Sequence, residues 1–130
     1  MSTYTTYRLD DAEDIAPGHG LGEVGEIRFL RNALGAERIG MGHYRMKPGR
    51  RIAFGHRHGE SEEVYLVLEG SGRFNLDGEV VDVAPGDTVY CPAATMRAWE
   101  AGDDGMVLVA FGAHTEGEDS HLEPGWWPEG

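Results

Sequence analysis

The chain of 130 residues carries 23 acidic and 11 basic residues, and its net charge of −12 argues against nucleic acid and anionic membranes as partners. The sequence has no apolar run of about eighteen residues and no charged-then-apolar leader, so we predict neither a membrane span nor a secretory signal and expect a cytoplasmic protein. Cys91 is the only cysteine, which excludes an intrachain disulfide and a cysteine-rich zinc site. The length fits a single domain, residues 1–130.

Residues 1–36 begin the predicted domain with an edge strand at 4–9 and loops, followed by either a strand or a short helix at 26–34. The next predicted strands are 37–46, 51–58 and 63–68. The strand at 63–68 carries bulky side chains on both faces, which predicts burial on both sides.

Further strands are predicted at 72–76, 79–83, 88–91, 97–100 and 106–111. Asp77-Gly78 lies between the first two of these, and this pair favours a tight hairpin turn. The glycine-bearing segment 102–105 predicts a second hairpin between the last two. Strands that recur about every eight to twelve residues are typical of an antiparallel sandwich or jelly-roll barrel. We place the barrel core at 37–112 and an acidic tail, docked by Trp126 and Trp127, at 113–130.

His56 and His58 lie two residues apart on a predicted strand, so their rings leave the same face. A four-residue turn then brings Glu63 alongside them. Two imidazoles and one carboxylate form a donor set that leaves coordination positions open on Fe(II) and also suits Mn, Ni, Cu or Zn. The sequence therefore predicts a divalent metal site at these three residues, without choosing the metal.

Residues 48–70 resemble the first signature of the cupin superfamily, in which a glycine leads to His-x-His, three or four residues, Glu, six residues and Gly. Four residues separate His58 from Glu63 and six separate Glu63 from Gly70, whereas Gly49 stands one residue further from His56 than is usual. The resemblance implies a small single-domain cupin, an antiparallel double-stranded β-helix (jelly-roll) barrel with little helix. The whole chain is similar to small stand-alone cupins without an assigned reaction, so the resemblance implies the fold and leaves the substrate open.

Residues 86–101 resemble the second cupin signature, which runs Gly, five residues, Pro, one, Gly, two, His, three, Asn. The first glycine and the proline match, but Ala94, Arg97 and Ala101 replace the second glycine, the histidine and the asparagine. The fourth metal ligand that the resemblance would imply is therefore replaced by an arginine. His43, on an earlier strand, is interpreted as a structural histidine and is not counted as a substitute ligand.

Arg97 shares strand parity with Trp99 and would point into the pocket if it occupies the place of the missing histidine. Three roles stay open: a buried bridge to Glu63, a clamp on a carboxylate or phosphate of a substrate, or an outward turn to surface acids. At about 5 Å, the repulsion between the Arg97 guanidinium and a metal ion costs roughly 3 kcal/mol for each unit of charge on the ion. A site that holds no metal is therefore one outcome. Arg97 and Tyr65, which can donate a hydrogen bond to a ligand, are the catalytic candidates.

The favoured function is a metal-dependent, oxygenase-type (dioxygenase-like) enzyme acting on a small anionic molecule. An isomerase, decarboxylase or lyase that uses the metal as a Lewis acid would need the same residues. Two metal-free alternatives stay open: a binding module or sensor for an anionic or sugar-like ligand, and an acid/base enzyme. The two-faced strand at 63–68 and the tryptophan-bearing tail also predict a homodimer.

Overall fold

A computed structural model describes residues 3–113, 115 and 117–128. In this part of the chain the strands are β1 (Gly25–Phe29), β2 (Ile39–Met46), β3 (Gly55–His58), β4 (Glu63–Leu76), β5 (Glu79–Val83), β6 (Thr88–Cys91), β7 (Arg97–Ala113) and β8 (Ser120–Glu123). Helical structure there is limited to α1 (Arg31–Leu34) and 3-10 turns at Leu9–Asp11 and Pro17–His19. The predicted all-β class with little helix is confirmed. No helix within the described ranges is long and apolar enough to cross a bilayer.

The long strands β4 and β7 form the centre of the barrel and pair antiparallel with each other over most of their lengths. The first part of β4 also pairs with β6, and its last part pairs with β5 in the predicted Asp77-Gly78 hairpin. The C-terminal part of β7 pairs with β2, and its first residue pairs with β3. Through these pairings β4 and β7 link the other strands into one antiparallel sheet, which closes as the predicted jelly-roll barrel.

The predicted hairpin across residues 102–105 is wrong, because β7 continues through this segment without reversing. β4 is likewise one strand where two were predicted. Gly70 and Gly105 adopt left-handed φ values of 74° and 78°, and a Cβ on Gly70 would lie 2.1 Å from the carbonyl oxygen of Gly105. The glycines therefore allow both strands to bend at a common corner, where the β4–β7 register shifts.

Burial of both faces of residues 63–68 is also wrong. Tyr65 and Val67 are buried in the barrel, whereas Val64 and Leu68 are 40% and 44% exposed. Successive side chains of a strand point to opposite faces, and only one face of β4 is turned to the interior. The apolar outer side chains of β4 therefore lie at the surface of the single chain.

The N-terminal segment packs against the barrel without forming the edge strand predicted at 4–9, so that prediction is wrong. The Asp14 carboxylate accepts hydrogen bonds from the backbone N–H groups of Ala16 and Ile27, each at 3.0 Å. The hydrogen bond from Ile27 holds the pKa of Asp14 below its usual range. The backbone N–H of Ile15 also donates to the carbonyl oxygen of Ile27 at 2.8 Å, so residues 14–16 are tied to β1 without forming a strand. The open alternative at 26–34 resolves into both elements, with β1 followed by α1.

The barrel core is aromatic around Trp99, whose ring lies 5.0 Å from that of Tyr44, 5.1 Å from that of Tyr65 and 5.5 Å from that of Phe74. The C-terminal tail closes this core at Ile52, through Trp127. Trp127 is buried and donates a hydrogen bond from Nε1 to the carbonyl oxygen of Ile52 at 2.8 Å. This docking helps to hold the tail on the barrel, where its strand β8 pairs with β3.

Candidate metal centre

The ends of β3 and β4 bring His56, His58 and Glu63 together on the inner side of the barrel. Nε2 of His58 lies 3.2 Å from Oε1 of Glu63, and Nε2 of His56 lies 3.6 Å from the same oxygen. One ligand atom from each of the three residues falls within 4.8 Å of the other two. Their side chains are each about one fifth exposed. The structure thus gives the geometry that the sequence predicted for these side chains.

The neighbouring strand leaves room for this cluster because the position opposite Glu63 is a glycine. Glu63 pairs with Gly112 of β7, and a Cβ on Gly112 would lie 2.8 Å from Cγ of Glu63. The space continues into an open cavity of about 290 Å³ between the cluster and α1. Small residues form much of its wall, among them Gly40, Gly42, Ala110, Gly112 and Ala113. The two imidazoles and the carboxylate therefore form a donor set that fits a divalent ion, and a cavity adjoins it.

The charge of Glu63 is stabilised by its neighbours. Burial would raise the pKa of Glu63, but hydrogen bonds with His56, His58 and Tyr65 outweigh burial and hold this pKa well below its usual range. The Tyr65 hydroxyl donates to Oε1 of Glu63 at 2.6 Å. Burial and the Glu63 charge raise the pKa of Tyr65 well above its ordinary value. Tyr65 therefore stays a hydrogen-bond donor, and Glu63 stays an anion that can bind a cation.

Arg97 is fully buried beside the cluster and pairs in register with His56. Its Nη1 donates to the carbonyl oxygens of Thr95 at 2.9 Å and His56 at 3.4 Å, and its Nη2 lies 3.5 Å from Oε1 of Glu63. Nε and Nη2 have no hydrogen-bond partner among the described residues. The predicted alternative in which Arg97 turns outward to surface acids is wrong. Of the three predicted roles, the bridge to Glu63 agrees best with the position of the guanidinium, since Nη2 lies 3.5 Å from Oε1.

A second cavity, of about 570 Å³, lies on the other side of His56. Its wall is mostly apolar and includes Ile15, Leu21, Ile27, Ile52, Phe54, Trp99 and Leu122. The indole Nε1 of Trp99 is buried and finds no acceptor among the described residues. Phe29 and Tyr44 line both cavities. His58 and Glu63 therefore border a cavity of mixed polar and apolar lining, and His56 borders a mostly apolar one.

Two residues of the centre were missed by the sequence analysis. Gly112 makes room for Glu63, and strand parity in β7 could have identified it. The carboxylate of Glu118 lies 3.6 Å from Nδ1 of His58, and nothing in an acidic tail distinguishes this residue from its neighbours.

His43 is buried away from the cluster, and burial, with Arg45 and Arg28 nearby, lowers its pKa, in agreement with a structural role.

Comparison with known families places the chain. The family model described as "Cupin domain" matches residues 42–112, which is more than half of the chain and contains all three members of the cluster. The protein belongs to the cupin family, as the two signatures implied.

Individual relatives share the fold or part of the sequence. The chain is 37% identical over 62 residues to a 5-nitrosalicylic acid 1,2-dioxygenase of a Bradyrhizobium species, a match that covers 48% of this chain and 29% of that protein. It is 50% identical over 40 residues to an uncharacterised protein of Methanocaldococcus jannaschii, covering 31% of this chain and 32% of that one. The matches thus span less than a third of either curated relative.

A solved structure named as a sugar phosphate isomerase from Silicibacter pomeroyi superimposes with a TM-score of 0.75 at 23% identity, covering 91% of this chain and 81% of that one. At this identity the likeness supports the cupin barrel and leaves the reaction open.

Proposed function

We propose that this protein is a metal-dependent cupin enzyme of the oxygenase type that acts on a small anionic molecule. The observation that carries the proposal is the approach of two imidazole nitrogens and one carboxylate to within 4.8 Å, next to an open cavity. His56, His58 and Glu63 would hold a divalent ion. When bound, such an ion supplies open positions for substrate and dioxygen, and Lewis-acid polarisation of a substrate oxygen.

The protein groups around these ligands have separate roles in the proposal. The Tyr65 hydroxyl orients Glu63 and keeps its proton, so that the carboxylate is held in place without being neutralised. Arg97 adds a fixed positive charge beside Glu63, which favours an anionic substrate group at the centre. Neither Tyr65 nor Arg97 is among the described residues that line the two cavities, so in this proposal both act on the centre through Glu63 and not by contact with substrate.

The two cavities suggest how a substrate lies. The apolar cavity beside His56 suits a ring or branched hydrocarbon body. The anionic end would then lie towards the cluster and Arg97. A relative named as a dioxygenase of an aromatic hydroxy acid agrees with this division. Hydroxybenzoates are therefore the first substrates to test.

The test is oxygen uptake by Fe(II)-loaded protein in the presence of a panel of hydroxybenzoates, with product detected by mass spectrometry. We expect uptake coupled to loss of substrate, and no reaction in the Glu63→Ala variant. Conversion that proceeds equally well under argon would instead favour the isomerase or decarboxylase alternative. No turnover of any compound by fully metal-loaded protein would contradict the oxygenase assignment.

A metal-free binding module is the second candidate, and Arg97 is the observation that favours it. This residue replaces a metal ligand and points its charge at Glu63, so it opposes a cation and favours an anion. Calorimetric titration of chelator-treated protein with benzoate separates the two functions. Benzoate binding of equal strength with and without metal supports the module, whereas binding that requires metal supports the enzyme.

We also propose the predicted homodimer, and its support is an apolar row on the outer face of the sheet. Tyr90, Val64 and Phe111 are register partners on β6, β4 and β7, and they are 57%, 40% and 38% exposed. A second copy would cover this row. Light scattering should give twice the chain mass, and Val64→Glu should give the monomer. A monomer at high concentration without substitution would contradict the dimer.

A cytoplasmic location stays a prediction.

A further inference from the structure

We infer that Glu118, in the acidic tail, is a positioning residue for the metal centre, acting on His58 and on the turn between the two ligand-bearing strands. The inference deepens the proposed function, since it rests on a metal at His56, His58 and Glu63. It assigns a role to a segment that neither cupin signature includes.

The contacts of the Glu118 carboxylate divide between its two oxygens. Oε2 accepts hydrogen bonds from the backbone N–H groups of Glu60 at 2.9 Å and Ser61 at 2.8 Å. Oε1 faces Nδ1 of His58 at 3.6 Å. The side chain is only 13% exposed although it lies in a segment without regular structure.

The bonds to Oε2 stabilise the turn that sets the distance between the ligands. Glu60 and Ser61 belong to the segment that connects His58 at the end of β3 with Glu63 at the start of β4. The tail adds backbone support here, because Gly59 N–H donates to the carbonyl oxygen of Asp119 at 2.7 Å and β8 pairs with β3. The hydroxyl groups of Ser61 and Thr115 also lie 3.3 Å apart. Glu118 therefore holds this turn through two hydrogen bonds to its backbone.

The position of Oε1 determines which nitrogen of His58 can bind a metal. A neutral imidazole has one N–H, so His58 can offer Nε2 to an ion only when its proton is on Nδ1. Nε2 is the nitrogen that faces Glu63. A carboxylate at Nδ1 accepts this proton's hydrogen bond and fixes the ring, an arrangement that strengthens metal binding by histidine. The two atoms lie 3.6 Å apart, and we expect them to form this hydrogen bond when an ion binds Nε2.

The Glu118→Gln variant separates the two functions of the carboxylate. Because two backbone N–H groups need an acceptor at the Oε2 position, the amide oxygen of the glutamine would turn towards Glu60 and Ser61. Its NH₂ group would then face Nδ1 of His58, so that a donor meets a donor. The turn stays closed, while the tautomer that presents Nε2 loses its partner. Asp119→Asn is the matched control, since it removes one negative charge from an exposed neighbour.

The experiment measures the Zn(II) dissociation constant of the full-length protein by competition with a chromogenic chelator, together with hydrogen exchange at the Glu60 and Ser61 amides. We expect Glu118→Gln to weaken binding about 10–100-fold with both amides still protected, and Asp119→Asn to match the unsubstituted protein. Co(II) absorption spectra should change in Glu118→Gln alone.

Two results would overturn the inference while leaving the metal centre standing. One is a Glu118→Gln dissociation constant equal to that of Asp119→Asn. The other is weaker binding that appears only with lost protection at the two amides, which would limit Glu118 to holding the turn. Failure of the unsubstituted protein to bind any Zn(II) would overturn the proposed metal centre itself, and the role of Glu118 with it.

Discussion

Glu63 and Glu100 are each surrounded by basic groups, but at different distances. Both oxygens of Glu100 are used by arginines, with Arg51 Nη2 at 2.6 Å from Oε2 and Arg73 Nε at 2.7 Å from Oε1. The two guanidinium groups also lie over the ring of Trp127, at 4.5 Å and 5.3 Å. Glu100 therefore joins β4, β7 and the tail as part of a closed structural cluster.

The groups around Glu63 leave it more available. Tyr65 donates at 2.6 Å, whereas His58, Arg97 and His56 approach the same Oε1 at 3.2 Å, 3.5 Å and 3.6 Å. Two of these groups are imidazoles, which can turn from sharing a proton with Glu63 to sharing a cation with it. The difference indicates that Glu100, whose two oxygens make short bonds to arginines, is structural, whereas Glu63, which has two imidazoles and one arginine at longer distances, can bind an ion.

The largest expected effect is on metal affinity, and it should follow the loss of the Glu63 carboxylate but not the loss of the Glu100 carboxylate. Glu63→Ala should weaken Zn(II) or Mn(II) binding by more than about 100-fold, since even loss of an outer partner of a ligand costs 10–100-fold. Glu100→Ala should leave the affinity unchanged. Calorimetric titration with each ion measures both. Equal affinity in the two variants would remove the distinction between the clusters.

Replacing the buried cation beside Glu63 should act in the opposite direction. Arg97→His removes a positive charge that lies 3.5 Å from Glu63 and adds a fourth possible ligand. We expect metal binding at least about tenfold tighter, because charge repulsion of several kcal/mol is relieved. Chelator competition measures the change. Unchanged affinity would mean that Arg97 does not act on the centre.

The space opposite Glu63 gives a test that leaves every ligand in place. A Cβ on Gly112 would lie 2.8 Å from Cγ of Glu63, whereas a Cβ on Gly40 would meet its nearest neighbour at an ordinary 3.6 Å. Gly112→Ala should weaken metal binding about tenfold, within the 1–3 kcal/mol that overpacking costs. Gly40→Ala is the control in the adjacent strand. The same affinity in both variants would show that Glu63 tolerates the shift.

Loss of the structural carboxylate should appear in stability. Glu100→Gln should lower the free energy of unfolding by about 1–2 kcal/mol, a modest value because Arg73 is about one third exposed and its pair with Glu100 is screened by solvent. Urea denaturation monitored by tryptophan fluorescence measures the difference. Stability equal to that of the unsubstituted protein would contradict a structural role for the Arg51–Glu100–Arg73 cluster.

The smallest effect concerns acid. The pKa of Glu63 is lower in the folded protein than its value of about 4.3 in an unfolded chain, so its contribution to stability is present above this pH and is lost as the pH falls towards the folded value. Metal-free protein should therefore lose stability between about pH 5 and pH 3 more steeply than Glu63→Gln does. Urea denaturation across this range measures both slopes, and parallel slopes would contradict the lowered pKa.

Local patterns in the sequence were sufficient for the strands that carry the three ligands. Strand parity placed His56 and His58 on one face, and the short turn brought Glu63 beside them. The bends at Gly70 and Gly105 were misread, because a glycine at positive φ serves a tight turn and a strand corner equally well.

Long-range contacts account for what the sequence could not predict. The approach of Glu118 to His58 depends on the tail lying along β3, where β8 pairs with this strand and Trp127 bonds to the carbonyl oxygen of Ile52. The segment at 4–9 is rich in tyrosine and threonine, which favour strands, but the barrel offers it no partner strand in the structure.

The central claim is that the His56, His58 and Glu63 cluster binds a divalent ion. Its most direct test is elemental analysis of untagged protein prepared without chelator, alongside the Glu63→Ala variant. We expect close to one transition-metal ion per chain in the unsubstituted protein and loss of that ion in the variant. A metal-free protein, or the same metal content in both, would contradict it.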